Sequence, residues 1–160
     1  MRLRARIRYT TMSFFASPIG AWIILYLFTP IDRVLLRLSR GRLSTVAVVV
    51  PSLVLISTGA KSGLPRETPL VYLPDGVRIV LIASNGGQPH HPAWYHNLRA
   101  NPEARVVVGG RTGSYRAHEA AGVEREELWR RAVALYHGYH TYQGRTGGRT
   151  IPVMVLEPVD

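Results

Sequence analysis

The stretch from Glu67 to Ala83, ETPLVYLPDGVRIVLIA, holds two runs rich in strand formers with Pro74-Asp75-Gly76 between them. Proline presets one turn dihedral and glycine admits the left-handed one, so Glu67–Leu73 and Val77–Ala83 read as a hairpin. Outward from it, Ser52–Ser57 (SLVLIS) is a short strand closed by Thr58-Gly59. Ala104–Val108 and Gly113–Ala121 read as two more strands about a Gly109–Thr112 turn, and Ile151–Leu156 as the last. Ala93–Arg99 (AWYHNLR) reads as a short helix, opened by Pro92 and stopped by Asn101-Pro102. Val123–Tyr136 carries a helical pattern with Glu124, Glu126 and Glu127 near its start, and Gly144–Gly148 (GRTGG) reads as a loop. The total is about six strands with helices inserted, an α+β chain. Most strand connections are too short for parallel crossovers, so pairing is antiparallel and the natural closure is a small barrel or strongly curved sheet. A doubly wound sheet is disfavoured.

At 160 residues the chain is the size of one domain with a short appendage. Apolar residues at 46% and charged residues at 19% exclude a disordered chain and a polytopic membrane protein. The absence of cysteine excludes disulfide scaffolds, thiolate catalysis and iron–sulfur clusters. The net charge of +10 is unevenly placed: residues 1–42 hold eight arginines against Asp32 alone. A division into an appendage of residues 1–42 and a body of residues 43–160 follows.

In the appendage Arg2, Arg4, Arg6 and Arg8 precede an apolar stretch, Phe14 to Phe28. Its core, Ile19–Phe28 (IGAWIILYLF), is half of the roughly 20 residues that span a bilayer. A span over residues 12–30 has to admit Ser13, Ser17 and Pro18, and Thr29-Pro30-Ile31-Asp32 lacks the small residues of a signal-peptide cleavage site. Thr29 can cap a second helix whose Ile31, Val34, Leu35 and Leu38 form one stripe, ended by Gly41. Arginines beside Trp22, Tyr26 and aliphatic residues suit a helix lying on an anionic membrane surface. The expectation is a cytoplasmic protein held peripherally at the inner face of the cell membrane. The competing uses of these helices are to cover an open face of the body or to make a homodimer contact. Nucleic acid is disfavoured, because no stacking platform or DNA-reading motif accompanies the arginines.

Three clusters in the body carry chemistry. Thr58–Arg66 (TGAKSGLPR) is a glycine-bounded turn that sets backbone N–H groups, Lys61 and Arg66 about one concavity, suited to a phosphate or carboxylate. An ordinary hairpin loop with surface cations is the plainer reading. Ala83–Gly87 (ASNGG) is a polar glycine turn after a strand, followed by a helix on which Trp94 and Asn97 share a face. Trp94 as a core anchor and Asn97 as a local cap is the plainer reading there. Tyr136, Tyr139 and Tyr142 stand three apart at the far end of a helix, flat rings with hydroxyl tips that can wall in an aromatic ligand. His91 with His96, and His137 with His140, lack the carboxylate partner of an H-E-x-x-H site, so no metal is expected.

In this order the clusters, with His91–Leu98 (HPAWYHNL), Ala100–Pro102 (ANP) and Arg149–Val153 (RTIPV), resemble the deazaflavin-dependent nitroreductase family of actinobacteria. That family is a branch of the split β-barrel flavin-binding proteins, and the likeness runs from Ser52 to Pro158. The resemblance implies an α+β antiparallel split β-barrel binding coenzyme F420, an 8-hydroxy-5-deazaflavin with a phospholactyl and polyglutamate tail. It implies an oxidoreductase of the quinone reductase or nitroreductase type, passing a hydride to an electron-poor, lipophilic small-molecule acceptor. Lys61, Ser62 and Arg66 would meet the tail's phosphate and carboxylates. Thr68, Pro69, Ser84, Asn85, Gly86, Trp94 and Asn97 would line the ring and ribityl part. Tyr136, Tyr139 and Tyr142 would cover the substrate, with Ser84, Tyr136 and Tyr139 as the catalytic polar groups. Ala60 stands where a basic residue is common in the family, and Asn85 where some members carry lysine. FMN is the alternative cofactor. A non-catalytic lipid, haem or flavin binder on the same barrel is the rival of another class.

Overall fold

A computed structural model describes residues 51–159, so the readings made of residues 1–42 lie outside the described residues. Seven strands follow in chain order: β1 (Ser52–Thr58), β2 (Pro65–Val71), β3 (Leu73–Asp75), β4 (Arg78–Ile82), β5 (Glu103–Val108), β6 (Arg111–Glu119) and β7 (Val153–Pro158). Helix α1 (Ala93–Ala100) precedes β5, and α2 (Gly122–Leu135) and α3 (Gly138–Arg145) lie between β6 and β7. All pairings are antiparallel, in the order β2-β1-β5-β6-β7-β4-β3.

This order corrects the expected hairpin. The run Glu67–Leu73 is two strands parted at Tyr72, and they occupy opposite edges of the sheet. Seven strands laid flat at about 4.8 Å spacing would part the edges by about 29 Å, whereas one residue advances the chain only about 3.5 Å. The sheet must therefore curl until its edges meet. Tyr72 is the single residue between the two edge strands, and its N–H, donated to the Pro51 carbonyl at 3.1 Å, extends the β1–β2 ladder. The result is the antiparallel split barrel; the hairpin turn expected at Pro74-Asp75-Gly76 is present but falls at Gly76-Val77, because Pro74 and Asp75 pair with Ile79 and Arg78.

Alternation along β4 and β7 divides the core. Ile79 and Leu81 with Met154 and Leu156 join Leu53, Leu55 and Val106 on one face, where α1 adds Trp94, Tyr95 and Leu98. Val80 and Ile82 with Val153 and Val155 face the other way, onto Leu128 and Ala132 of α2 and Tyr139 and Tyr142 of α3. Strands buried on both faces need unbroken apolar runs, which is why IVLI and VMVL read so plainly.

Candidate active site

The loop between β1 and β2 is tightly made. The Gly59 N–H donates to the Leu64 carbonyl at 2.9 Å, the Gly63 N–H to the Gly59 carbonyl at 2.8 Å, and Gly63 takes φ +67. Ser62 Oγ accepts from Leu64 N at 3.3 Å and from Arg66 Nη2 at 3.2 Å, so Ser62 orients the arginine. Lys61 and Arg66 are both exposed. Arg66 lies opposite Ser57 and Thr68 opposite Leu55, which puts both on the interior face of the curled sheet. Pro69 lies opposite Val54, so its ring faces the other side and does not join them.

Asn97 ties this loop to α1. Its Oδ1 accepts from the Ala60 N–H at 3.0 Å and its Nδ2 donates to Ser57 Oγ at 3.2 Å, both far away in sequence. The side chain is buried and works as a brace, neither a local cap nor a free polar tip. Trp94, one helical turn earlier, is buried in the interior core. Ala60 contributes its backbone to the brace, the part of the residue that any side chain there would share.

The second cluster forms a single 3-10 turn, Asn85–Gly87, after β4. Asn85 at φ 51, Gly86 at φ 64 and Gly87 at φ 81 run consecutively through left-handed space. Asparagine tolerates that conformation better than lysine does, and its Nδ2 also donates to the His90 carbonyl at 3.1 Å. Gly87 is required twice over, since a Cβ there would stand 2.9 Å from the Tyr142 carbonyl oxygen. That close approach sets the turn directly against α3. Ser84 is half-buried, and its hydroxyl caps nothing.

The tyrosines meet by a route that corrects the expected single helix. Regular α2 stops at Leu135, Tyr136 is extended (φ −143, ψ 100), and α3 starts afresh at Gly138. The Tyr136 ring folds over Gly138, whose absent Cβ would lie 2.4 Å from it. Tyr136 and Tyr139 then pack edge to face at 5.2 Å between centroids, and the Tyr136 and Tyr142 hydroxyls are 3.0 Å apart. Burial pushes all three phenols up; for Tyr136 the bond to Tyr142 adds to the effect. They are neutral O–H groups at any ordinary pH and act as hydrogen-bond donors rather than phenolates. Gly144 and Arg145, expected in a loop, complete α3.

Two residues that the sequence reading did not place at the site tie the Ser84 turn to its neighbours. Arg149 lies half-buried behind the Ser84 turn and donates to the carbonyls of Ala83, Ser84 and Gln88 and to His91 Nδ1. His91 packs on Tyr95 at 4.6 Å, and burial, then Arg149, lowers its pKa from the ordinary 6.5. The only signal for Arg149 in the sequence is its place at the head of R-T-I-P-V. Among the described residues no three His, Asp or Glu gather into a metal site.

These groups suit a deazaflavin. Exposed Lys61 and Arg66 match an anionic tail, the glycine turn offers backbone N–H groups, and buried tyrosines give flat neutral walls. A family model described as F420H(2)-dependent quinone reductase matches residues 32–158. The F420H(2)-dependent quinone reductase of Mycobacterium tuberculosis (strain ATCC 25618 / H37Rv) is 41% identical over 109 residues, 66% of this chain and 72% of that protein. A solved F420-H2 dependent reductase (FDR-A) is similar at TM-score 0.62 and 41% identity, over 67% of this chain and 94% of that one. A solved structure described as a domain-swapped dimer gives 0.63 at 38% identity, over 80% and 99%. The order of motifs, the curled antiparallel barrel and these likenesses agree, and the chain belongs to the F420H(2)-dependent quinone reductase family, oxidoreductases whose hydride donor is the reduced deazaflavin F420H2.

Proposed function

We propose that this protein reduces a quinone-like, lipophilic acceptor held against Tyr136, Tyr139 and Tyr142. The observation that carries this is the cluster of neutral phenols, Tyr139 and Tyr142 buried and Tyr136 half-buried, packed against the Ser84–Gly87 turn. When bound, the reduced deazaflavin supplies a hydride, and a quinone needs one proton besides to leave as a hydroquinone. The chain's share is positioning. Lys61 and Arg66 hold anionic groups at the mouth, and the Ser84 turn fixes a polar edge of the ring. A phenolic O–H donates to the acceptor oxygen on which charge develops. Phenols held above their usual range are poor acids, so the proton itself comes from water or through Ser84, with the tyrosines stabilising the charge until it arrives. The same reading places the protein at the cytoplasmic face of an anionic membrane, with residues 1–42 as the attachment. A homodimer is in keeping with the domain-swapped relative.

The test is anaerobic oxidation of F420H2 by the purified chain with a naphthoquinone or a nitroaromatic as acceptor, against reduced FMN as donor. Quinone-dependent turnover with F420H2, faster than with the nitroaromatic, is expected. Turnover only with reduced FMN, or binding of haem or lipid with neither flavin bound, would overturn the reading.

A further inference from the structure

We propose that Arg149 is a positioning residue for the cofactor site, gathering the carbonyls behind the Asn85–Gly87 turn so that the turn's N–H side faces the ligand. The inference rests on the cofactor reading above and deepens it. The guanidinium is saturated: Nη2 donates to the Ser84 carbonyl at 2.9 Å and the Gln88 carbonyl at 2.8 Å, Nη1 to the Ala83 carbonyl at 3.3 Å and His91 Nδ1 at 3.1 Å, and Nε to the Gln88 carbonyl at 3.2 Å. Every peptide bond described is trans, so the N–H of Asn85 points opposite to the Ser84 carbonyl and therefore away from Arg149. Among the described residues the Ser84 and Gly87 N–H groups have backbone partners, at Ile82 and Ser84, while those of Asn85 and Gly86 have none. Two successive N–H groups in a left-handed turn need acceptor atoms, and a carbonyl or ring nitrogen at the edge of a deazaflavin is of the right chemistry.

Two further hydrogen bonds fix Arg149 itself. Thr146 Oγ1 donates to its carbonyl at 2.6 Å and Gln143 Nε2 at 2.7 Å, which anchors its backbone to the end of α3. His91 can accept only with Nδ1 unprotonated. Lysine, with one ammonium, cannot serve four acceptors spread over three carbonyls and a ring nitrogen. The arginine thus links the tyrosine helix to the turn that faces the cofactor.

The experiment uses the full chain as wild type, Arg149→Lys and Arg149→Gln. It reads F420 affinity by fluorescence titration, amide hydrogen exchange over residues 84–88, the KM for F420H2 and for the quinone, and the melting temperature. Exchange in the turn should rise and the F420 dissociation constant increase about ten-fold or more in both variants. The quinone KM should stay within about two-fold, and lysine should fail to rescue. Unchanged exchange and affinity in both variants would sink the proposal, as would a lowered melting temperature alone with affinity intact. Wild type that binds no F420 would overturn the cofactor reading itself, and the exchange pattern would still decide whether Arg149 holds the turn.

Discussion

At Gly138 any side chain would enter the space of the Tyr136 ring, since a Cβ there lies 2.4 Å from ring carbons and 2.6 Å from the hydroxyl oxygen. Gly138→Ala should therefore push that ring aside and break the Tyr136–Tyr142 pair. Acceptor reduction is expected to fall about ten-fold with F420 affinity nearly intact, because one oriented hydroxyl is lost. Tyr139 is a sharper probe. Its residue is buried and its hydroxyl bonds to no described residue, so removing the oxygen costs the fold nothing. Tyr139→Phe should keep or raise the melting temperature and keep the cofactor while slowing quinone reduction about ten-fold or more. Reduction at the wild-type rate would leave the phenol as core packing. His91 carries a pH dependence whose sign follows from its surroundings: Arg149 bonded to Nδ1, Tyr95 stacked on the ring, His96 at 5.8 Å, and His90 and Glu119 in its field. Its folded pKa is lowered, so the unfolded chain binds more protons here and stability rises with pH. The contribution is complete above the ordinary value of 6.5 and is lost as pH falls below it. The melting temperature of wild type should drop on that acid side more steeply than that of His91→Asn, whose amide oxygen can still accept from Arg149. Parallel curves would remove His91 from the linkage.

Among the elements, the β1–β2 loop is where charge and scaffold can be separated. Lys61→Ala and Arg66→Ala each remove an exposed cation, and screening by solvent keeps the effect modest, about three- to ten-fold in F420 affinity. The loss should shrink at high salt and vanish for a deazaflavin without the anionic tail. Equal losses for tailed and tailless ligands would make the loop a structural support rather than an anion clamp. Asn97→Leu acts through the scaffold, since it leaves the buried Ser57 hydroxyl without its partner at about 1–3 kcal/mol and frees the exposed Ala60 N–H to water. The strands were legible because IVLI and VMVL are buried on both faces and the turns announce themselves by glycine. Two breaks were not. Tyr72 sits inside an unbroken apolar run, and only closure of the barrel decides that the chain changes edges there. The end of α2 lies within a residue of the one read from the sequence, but the spacing of three through Tyr139 and Tyr142 hides that a second helix starts afresh at Gly138. The spacing thus grouped three tyrosines that the structure does bring together, through a helix break rather than along one helix. Asn97, Trp94 and the Ser84 turn read as one cluster in the sequence, but the brace from Asn97 to Ala60 spans 37 residues, which no local pattern carries.

For the whole molecule the asymmetry of charge is the decisive feature. Residues 1–42 hold eight of the chain's 20 basic side chains and one of its 10 acidic ones, beside the apolar stretch Phe14–Phe28. Among the described residues no helix is long and apolar enough to cross a membrane. A lipophilic quinone partitions into the bilayer, and an enzyme held at the headgroups meets it at far higher local concentration than one in bulk water. Arginine near an anionic surface contributes about 1 kcal/mol per residue within a Debye length, and apolar side chains sunk to the acyl boundary add a term that salt does not screen. The two contributions predict separable results in vesicle sedimentation. Replacing Arg2, Arg4, Arg6 and Arg8 with glutamine in the full chain should abolish the preference for anionic over neutral vesicles. Deleting residues 1–42 should release the protein from both, with F420 affinity retained by the body. Equal binding of the full-length, glutamine-substituted and truncated proteins to anionic vesicles would place the attachment elsewhere. Release accompanied by aggregation would instead mark residues 1–42 as the cover of an apolar face.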